Sequence, residues 1–194
     1  MNSLYALKPW YGRRLSGVMV ACARYGISPT QLSVAGVAFG AAGGLALAGL
    51  PTGLPAAVVV AALLAIRLAC ANLDGGLSRF TDRSSRWGSI ENELGDRLSD
   101  MAACAGLFFL ATPAVALAVL LAASFPSWIS LAGAAAGAQR SNVGPVGKTE
   151  RCLLLVLTAA IGIHAWIAAV LVLGSCITAA VRLVGIRTEL AGAR

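Results

Sequence analysis

The 194-residue chain is 58% hydrophobic and 12% charged, with a formal net charge of +7, and its mean hydropathy is +0.81. That balance excludes a soluble globular core and fits one polytopic membrane domain spanning the whole chain. The positive surplus suits anionic lipid headgroups and phosphate-bearing substrates, and no nucleic-acid-binding motif accompanies it.

In chain order, residues 1–28 mix Leu4, Tyr5, Leu7, Trp10, Tyr11, Val18 and Val20 with Lys8, Arg13, Arg14 and Arg24. The mixture predicts an amphipathic helix lying at the cytoplasmic interface. It lacks the charged, apolar and cleavage regions of a signal peptide, so it is expected to stay on the protein. Ser28-Pro29 reads as a helix start, and the uncharged run from Gln31 to Leu50 is long enough to cross a bilayer, with Gly36, Gly40, Gly43 and Gly44 as a small-residue packing face. Pro51 to Pro55 turns the chain, and Ala56 to about Leu77 forms a second span with Arg67 inside it. An intramembrane arginine is costly and marks a functional site by default.

Phe80 to Trp87 is a polar connection, and a third span runs from about Gly88 to Leu110. A fourth covers Ala114 to Ala138, interrupted by Pro126. Gln139 to Arg151 is a basic loop, and Cys152 to His164 and Trp166 to Ile186 complete six spans within residues 31–187. Lysine and arginine mark the cytoplasmic side. The loops at 80–87 and 139–151, together with Arg187 and Arg194, fall on the side of the basic N-terminus. Both termini and any polar site near them are therefore expected to face the cytoplasm. The five cysteines, Cys22, Cys70, Cys104, Cys152 and Cys176, form no CxxC pair and read as small buried hydrophobes.

The informative stretch is Arg67 to Asp100. Six of the eight acidic residues, Asp74, Asp82, Glu91, Glu93, Asp96 and Asp100, fall within it. On a helix, Asn92, Glu93, Asp96 and Asp100 occupy an arc of roughly 100°. Carboxylates gathered on an apolar scaffold repel one another and resist desolvation unless a divalent cation or a basic ligand sits among them. Hard oxygen ligands suit Mg²⁺ or Mn²⁺.

The run Asp74-Gly75-x-x-Ser78-Arg79, eight residues, Gly88, three residues, Asn92, three residues, Asp96 resembles the signature of the CDP-alcohol phosphotransferases, D-x-x-D-G-x-x-A-R-x8-G-x3-D-x3-D. The glycine and arginine spacings match. Two of the four aspartate positions hold Ala71 and Asn92, with Asn72, Glu91 and Glu93 beside them. The resemblance implies an all-helical membrane enzyme, commonly a homodimer, that moves a phosphatidyl group from a CDP-linked lipid such as CDP-diacylglycerol to an alcohol and releases CMP.

Carried over by position, Asp74, Asn92, Glu93 and Asp96 would hold Mg²⁺ or Mn²⁺. Asn72, Gly75, Ser78, Arg79 and Gly88 would line the nucleotide. Asp96, with Asp100 one turn on, would serve catalysis, Asp96 as the base. Glu93 and Asp100 are expected to replace the charge lost at Ala71 and Asn92. The stretch from Gly144 to Arg151 resembles the basic loop of members that accept a phosphorylated alcohol, which assigns Arg140, Lys148 and Arg151 to an acceptor phosphate. Two other classes compete. A relative that binds a CDP-lipid or a partner protein without turnover would account for Ala71 and Asn92. A small transporter using Arg67 and the acidic stripe as an ion path would leave the glycine and arginine spacing unexplained.

Overall fold

The computed structural model describes residues 8–192, and these are all-helical. In chain order the helices are α1 (Lys8–Arg14), α2 (Ser16–Arg24), α3 (Pro29–Gly49), α4 (Leu54–Phe80), α5 (Arg86–Ala105), α6 (Pro113–Ala135), α7 (Lys148–Ile161) and α8 (Ala165–Gly192). A 3-10 turn, Gly106–Phe109, extends α5. Four of them, α3, α4, α6 and α8, are long and apolar enough to cross a membrane. α5 carries the acidic stripe and α7 is only 14 residues long. By length and composition these two therefore do not stand alone as spans, although both lie where the third and fifth were expected.

The predicted single N-terminal helix is two short ones that meet at Leu15, where the Ser16 hydroxyl donates to the Arg13 carbonyl. Leu4, Tyr5 and Leu7 of that prediction, and Arg194 of the predicted basic tail, lie outside the described residues. α2 docks on the bundle: buried Cys22 joins Leu32, Leu73 and Leu77 in a small core. This covers the ends of α3 and α4 next to the polar stretch.

α3 starts as its sequence indicates. The Ser28 side chain accepts from the Gln31 amide, the Gln31 side chain accepts from the Ser28 amide, and Pro29 opens the first turn. The helix lies between α4 and α5. Its four buried glycines divide between those two neighbours. Gly36 approaches Cys70 and Gly43 approaches Leu64 on α4, while Gly40 abuts Ser99 and Gly44 abuts Ala102 on α5. A β-carbon on Gly40 would come within 2.6 Å of the Ser99 carbonyl oxygen. Gly40→Ala is therefore expected to push α5 away from α3 and to destabilise the fold by about 1–3 kcal/mol, read as a lowered midpoint in thermal unfolding of the detergent-solubilised chain. Gly49→Ala, which meets no atom within 4 Å, serves as the control.

α4 runs three residues beyond the expected end near Leu77, to Phe80, and Gly76 lies close to Met19 of α2. Ser85 caps α5 by accepting from the Gly88 amide. α6 packs on α8, and α7 packs on α4. The main core runs through α3, α4, α5, α6, α7 and α8 and includes Leu47, Val60, Leu64, Leu107, Val119, Leu155, Ile167 and Leu171.

The connection from α6 to α7 is fixed to α8. Arg182 donates from Nε to the Val143 carbonyl and from a terminal nitrogen to the Pro126 carbonyl, both at 2.9 Å. Thr178 accepts from the Val146 amide at 2.9 Å. The basic stretch thus enters α7 from a fixed direction, and Glu150 holds the Gly147 amide at its first turn.

Candidate active site

α4 and α5 form a helical hairpin closed by residues 81–85. Asp74, near the end of α4, therefore lies at the level of the first turns of α5. Asp74 is 3% exposed. Its Oδ2 accepts from Ser33 of α3 at 2.9 Å, and its Oδ1 accepts from its neighbour's amide, Gly75, at 2.5 Å. Both donors are neutral, and Asp74 holds no ion pair among the described residues. The charge of Asp96 acts on it across the α4–α5 seam.

The rest of the stripe has a different environment. Glu93 is held by Arg97, whose Nε lies 2.7 Å away, and by Arg140. Asp96 pairs with Lys148 at 2.5 Å. Asp100 is bridged by Arg67 at 2.7 Å and by Arg151. The result is a ladder in which Arg140, Lys148 and Arg151 descend in step with Glu93, Asp96 and Asp100. Arg67 completes its deep end from α4: it is 1% exposed and also donates to Ser99 and to the Cys152 sulfur. It does not reach toward an interface. Arg151 Nε is buried with no hydrogen-bond partner among the described residues. A crevice between α5 and α6, lined by Arg97, Asp100, Ser124, Ser127 and Trp128, reaches the same ladder from the other side.

Glu93 and Asp100, expected to replace lost charge at a metal site and in Asp100's case to act in catalysis, are each held by two guanidinium groups. A carboxylate so bridged has its charge balanced by the protein's own guanidinium groups. Among the described residues no three His, Cys, Asp or Glu side chains converge as a metal-holding group. The three residues assigned to an acceptor phosphate, Arg140, Lys148 and Arg151, each pair with an acid of the stripe.

The residues assigned to the nucleotide cluster at the top of the hairpin. A β-carbon on Gly75 would sit 3.5 Å from an Arg79 terminal nitrogen and 3.7 Å from the Asn92 amide nitrogen, so Gly75, Arg79 and Asn92 surround one small space. Asn72, one turn before, donates to the Leu68 carbonyl and leaves its own oxygen for another partner. Ser78 approaches Ser84 across the loop at 3.4 Å, and Gly88 sits in the first turn of α5. Sequence reasoning missed two contributors. Arg97 could have been found, since it follows Glu93 by four residues on one helix. Ser33 carries no local signal, because its role depends on how α3 crosses α4.

No family model matches the chain. Over 157 residues it is 29% identical to "Inner membrane protein YnbA" of Escherichia coli (strain K12), covering 80% of this chain and 78% of that protein. Among solved structures it superposes on Mycobacterium tuberculosis phosphatidylinositol phosphate synthase with CDP-DAG bound, at TM-score 0.72 and 21% identity, over 91% of this chain and 95% of that one. The same enzyme in complex with manganese and citrate gives TM-score 0.71 and 21% identity, over 90% and 89% of the two chains. The chain therefore shares the fold of that phosphatidylinositol phosphate synthase, and four of its helices are long and apolar enough to cross a membrane.

Proposed function

From that fold, we propose that this chain is a phospholipid-forming transferase that moves a phosphatidyl group from a CDP-linked lipid to a phosphorylated alcohol and releases CMP. The observation that carries the reading is the hairpin seam. Asp74 on α4 and Asp96 on α5 lie on the two arms of the hairpin, and Gly75, next to Asp74, shares a small space with Arg79 and Asn92. Six spans, with α5 and α7 as the two shorter ones, both termini inside and the seam opening to the cytoplasm, complete the proposed topology; a homodimer is proposed with them.

The acceptor hydroxyl attacks the lipid-linked phosphorus, a new P–O bond forms, and the P–O bond to CMP breaks. Lys148 grips Oδ1 of Asp96, which leaves Oδ2 to take the proton from the attacking hydroxyl. Gly75 allows the nucleotide to come close to the α4 backbone, and Arg79 provides a guanidinium for its phosphate. Asp74, a buried carboxylate whose hydrogen-bond donors are both neutral, would contribute one ligand to a divalent cation, Mg²⁺ or Mn²⁺. When bound, such an ion offsets negative charge on the pyrophosphate.

The acceptor class follows from the ladder. Arg67, Arg97, Arg140, Lys148 and Arg151 bring five positive charges against three negative charges on Glu93, Asp96 and Asp100. The two unmatched positive charges suit a phosphate dianion, and the unpartnered Arg151 Nε gives it a donor. Glycerol phosphate and inositol phosphate are acceptors of this class.

The test is release of CMP from CDP-diacylglycerol by the purified chain, with each metal and a panel of phosphorylated and unphosphorylated alcohols. Turnover only with phosphorylated acceptors supports the reading. A folded chain that binds CDP-diacylglycerol and releases no CMP with any acceptor points to the non-catalytic alternative. Arg151→Lys keeps the charge next to Asp100 but loses the planar fork. It is expected to raise the acceptor KM roughly tenfold or more, with the CDP-lipid KM nearly unchanged, since a charge-assisted contact contributes about 1.5–3 kcal/mol. Equal effects on both KM values would remove Arg151 from the acceptor pocket.

A further inference from the structure

We infer that Ser33, on the second turn of α3, is a positioning residue that holds the Asp74 carboxylate in the orientation it needs to meet a nucleotide diphosphate. The inference rests on the transferase reading for what Asp74 acts on, and deepens it by naming the residue outside the α4–α5 hairpin that aims this carboxylate.

The donors to Asp74 are the first ground. Asp74 is buried, and each of its oxygens accepts one hydrogen bond: Oδ1 from the Gly75 amide, the next residue on its own helix, and Oδ2 from the Ser33 hydroxyl at 2.9 Å. The Gly75 bond moves with α4, so among the described residues it is Ser33 that ties the carboxylate to another helix. A hydroxyl fixes the direction of a carboxylate without cancelling its charge, whereas a guanidinium or ammonium partner does both. Glu93, Asp96 and Asp100 are held by cationic side chains. Asp74 is directed by neutral groups instead.

The second ground is how firmly α3 carries Ser33. The capping box between Ser28 and Gln31, with Pro29, fixes the first turn. Thr30 lies one turn before Ser33 on the same helix face, and its hydroxyl donates to Glu91 of α5 at 2.8 Å. Glu91 is held in turn by the Trp87 indole at 2.9 Å. The first turns of α3 therefore reach both arms of the hairpin, Ser33 the α4 arm and Thr30 the α5 arm. Leu32, between them, is buried with Leu73 and Leu77 of α4. On α5, Gly95 comes against Ser33: a β-carbon there would sit 3.3 Å from the Ser33 β-carbon, so the glycine lets α5 approach without displacing the hydroxyl.

The consequence falls on the nucleotide. Gly75, beside Asp74, shares with Arg79 and Asn92 the small space assigned to it. Without the Ser33 hydroxyl, Asp74 keeps the Gly75 amide as its donor and is free to turn away from that space. A displacement of about 1 Å in a positioned group costs on the order of 10²-fold. Ser33 thus acts through Asp74 on the CDP-linked substrate, while the acceptor is held by other residues.

The experiment is calorimetric titration of CDP into the full chain in detergent micelles, with Mg²⁺ present throughout. The proteins are wild type, Ser33→Ala, Ser33→Thr, Asp74→Asn and the double variant of Ser33→Ala with Asp74→Asn. Ser33→Ala should weaken CDP binding about tenfold, as for a lost hydrogen bond to a carboxylate. Ser33→Thr keeps the hydroxyl and should bind within about threefold of wild type. In the Asp74→Asn background Ser33→Ala should cost less than about twofold, because effects that pass through one shared residue do not add. In turnover, Ser33→Ala should raise the CDP-lipid KM and leave the acceptor KM nearly unchanged. Fully additive effects, equal losses in Ser33→Ala and Ser33→Thr, or a lowered unfolding midpoint in Ser33→Ala with unchanged CDP binding overturns the inference, as does a wild type that binds no CDP. Should Asp74→Asn fail to fold or to bind CDP, the contrast between Ser33→Ala and Ser33→Thr decides. Failure of the transferase reading is separate: coupled effects on CDP binding without CMP release remove the transferase and keep the role of Ser33, and CMP release with additive effects does the reverse.

Discussion

Asp96→Asn is expected to lower CMP release from CDP-diacylglycerol by about 10²–10⁴-fold, the range lost with a positioned general base. The change keeps the side-chain volume and one oxygen, so the helix should remain folded. It removes both the proton acceptor and the negative partner of Lys148, which lies 2.5 Å away in the wild type. Glu93→Gln provides the contrast. Glu93 is held by Arg97 and Arg140, so its neutralisation should leave turnover within a few-fold of wild type. Turnover per mole of folded protein, measured for both variants, checks the pair. Asp96→Asn with near-normal turnover would remove Asp96 from the role of base. Comparable losses in both variants would mean that the whole stripe acts as one electrostatic unit.

Asp100→Leu is expected to be the most destabilising single substitution in the ladder. The carboxylate is 8% exposed and sits between Arg67, 1% exposed, and Arg151, 3% exposed. Removing it leaves two guanidinium groups facing one another without their anion. Breaking a buried pair from one side costs about 3–5 kcal/mol, since the remaining charge is desolvated and uncompensated. The measurement is the yield of folded protein in detergent and the shift in its thermal unfolding midpoint. The triple variant Arg67→Met, Asp100→Leu, Arg151→Met removes all the charges together and should recover most of that loss, because well-packed apolar groups often replace a buried ion network at little cost. A triple variant no more stable than Asp100→Leu would show that hydrogen bonds of this network to Ser99 and Cys152, rather than charge balance, hold α4, α5 and α7 in place.

The all-helical membrane character, the glycine face of α3, the Ser28 cap and the aspartate, glycine and arginine spacing are properties of residues within a few turns of one another. Composition and helical periodicity report them directly, and the sequence by itself was enough to determine them. Local rules reached their limit at the two ends of the stripe. Acids on an apolar scaffold need a counter-charge, and that need is readable at Asp74, Glu93, Asp96 and Asp100. What meets it is not readable, because Arg140, Lys148 and Arg151 approach from 47 to 52 positions further along the chain, and Arg67 approaches from the other arm of the hairpin. The packing of α3 between α4 and α5, and of α7 on α4, brings those partners to the stripe. It gives Glu93 and Asp100 two arginines each, while Asp74 has the Ser33 hydroxyl and the Gly75 amide as its hydrogen-bond donors.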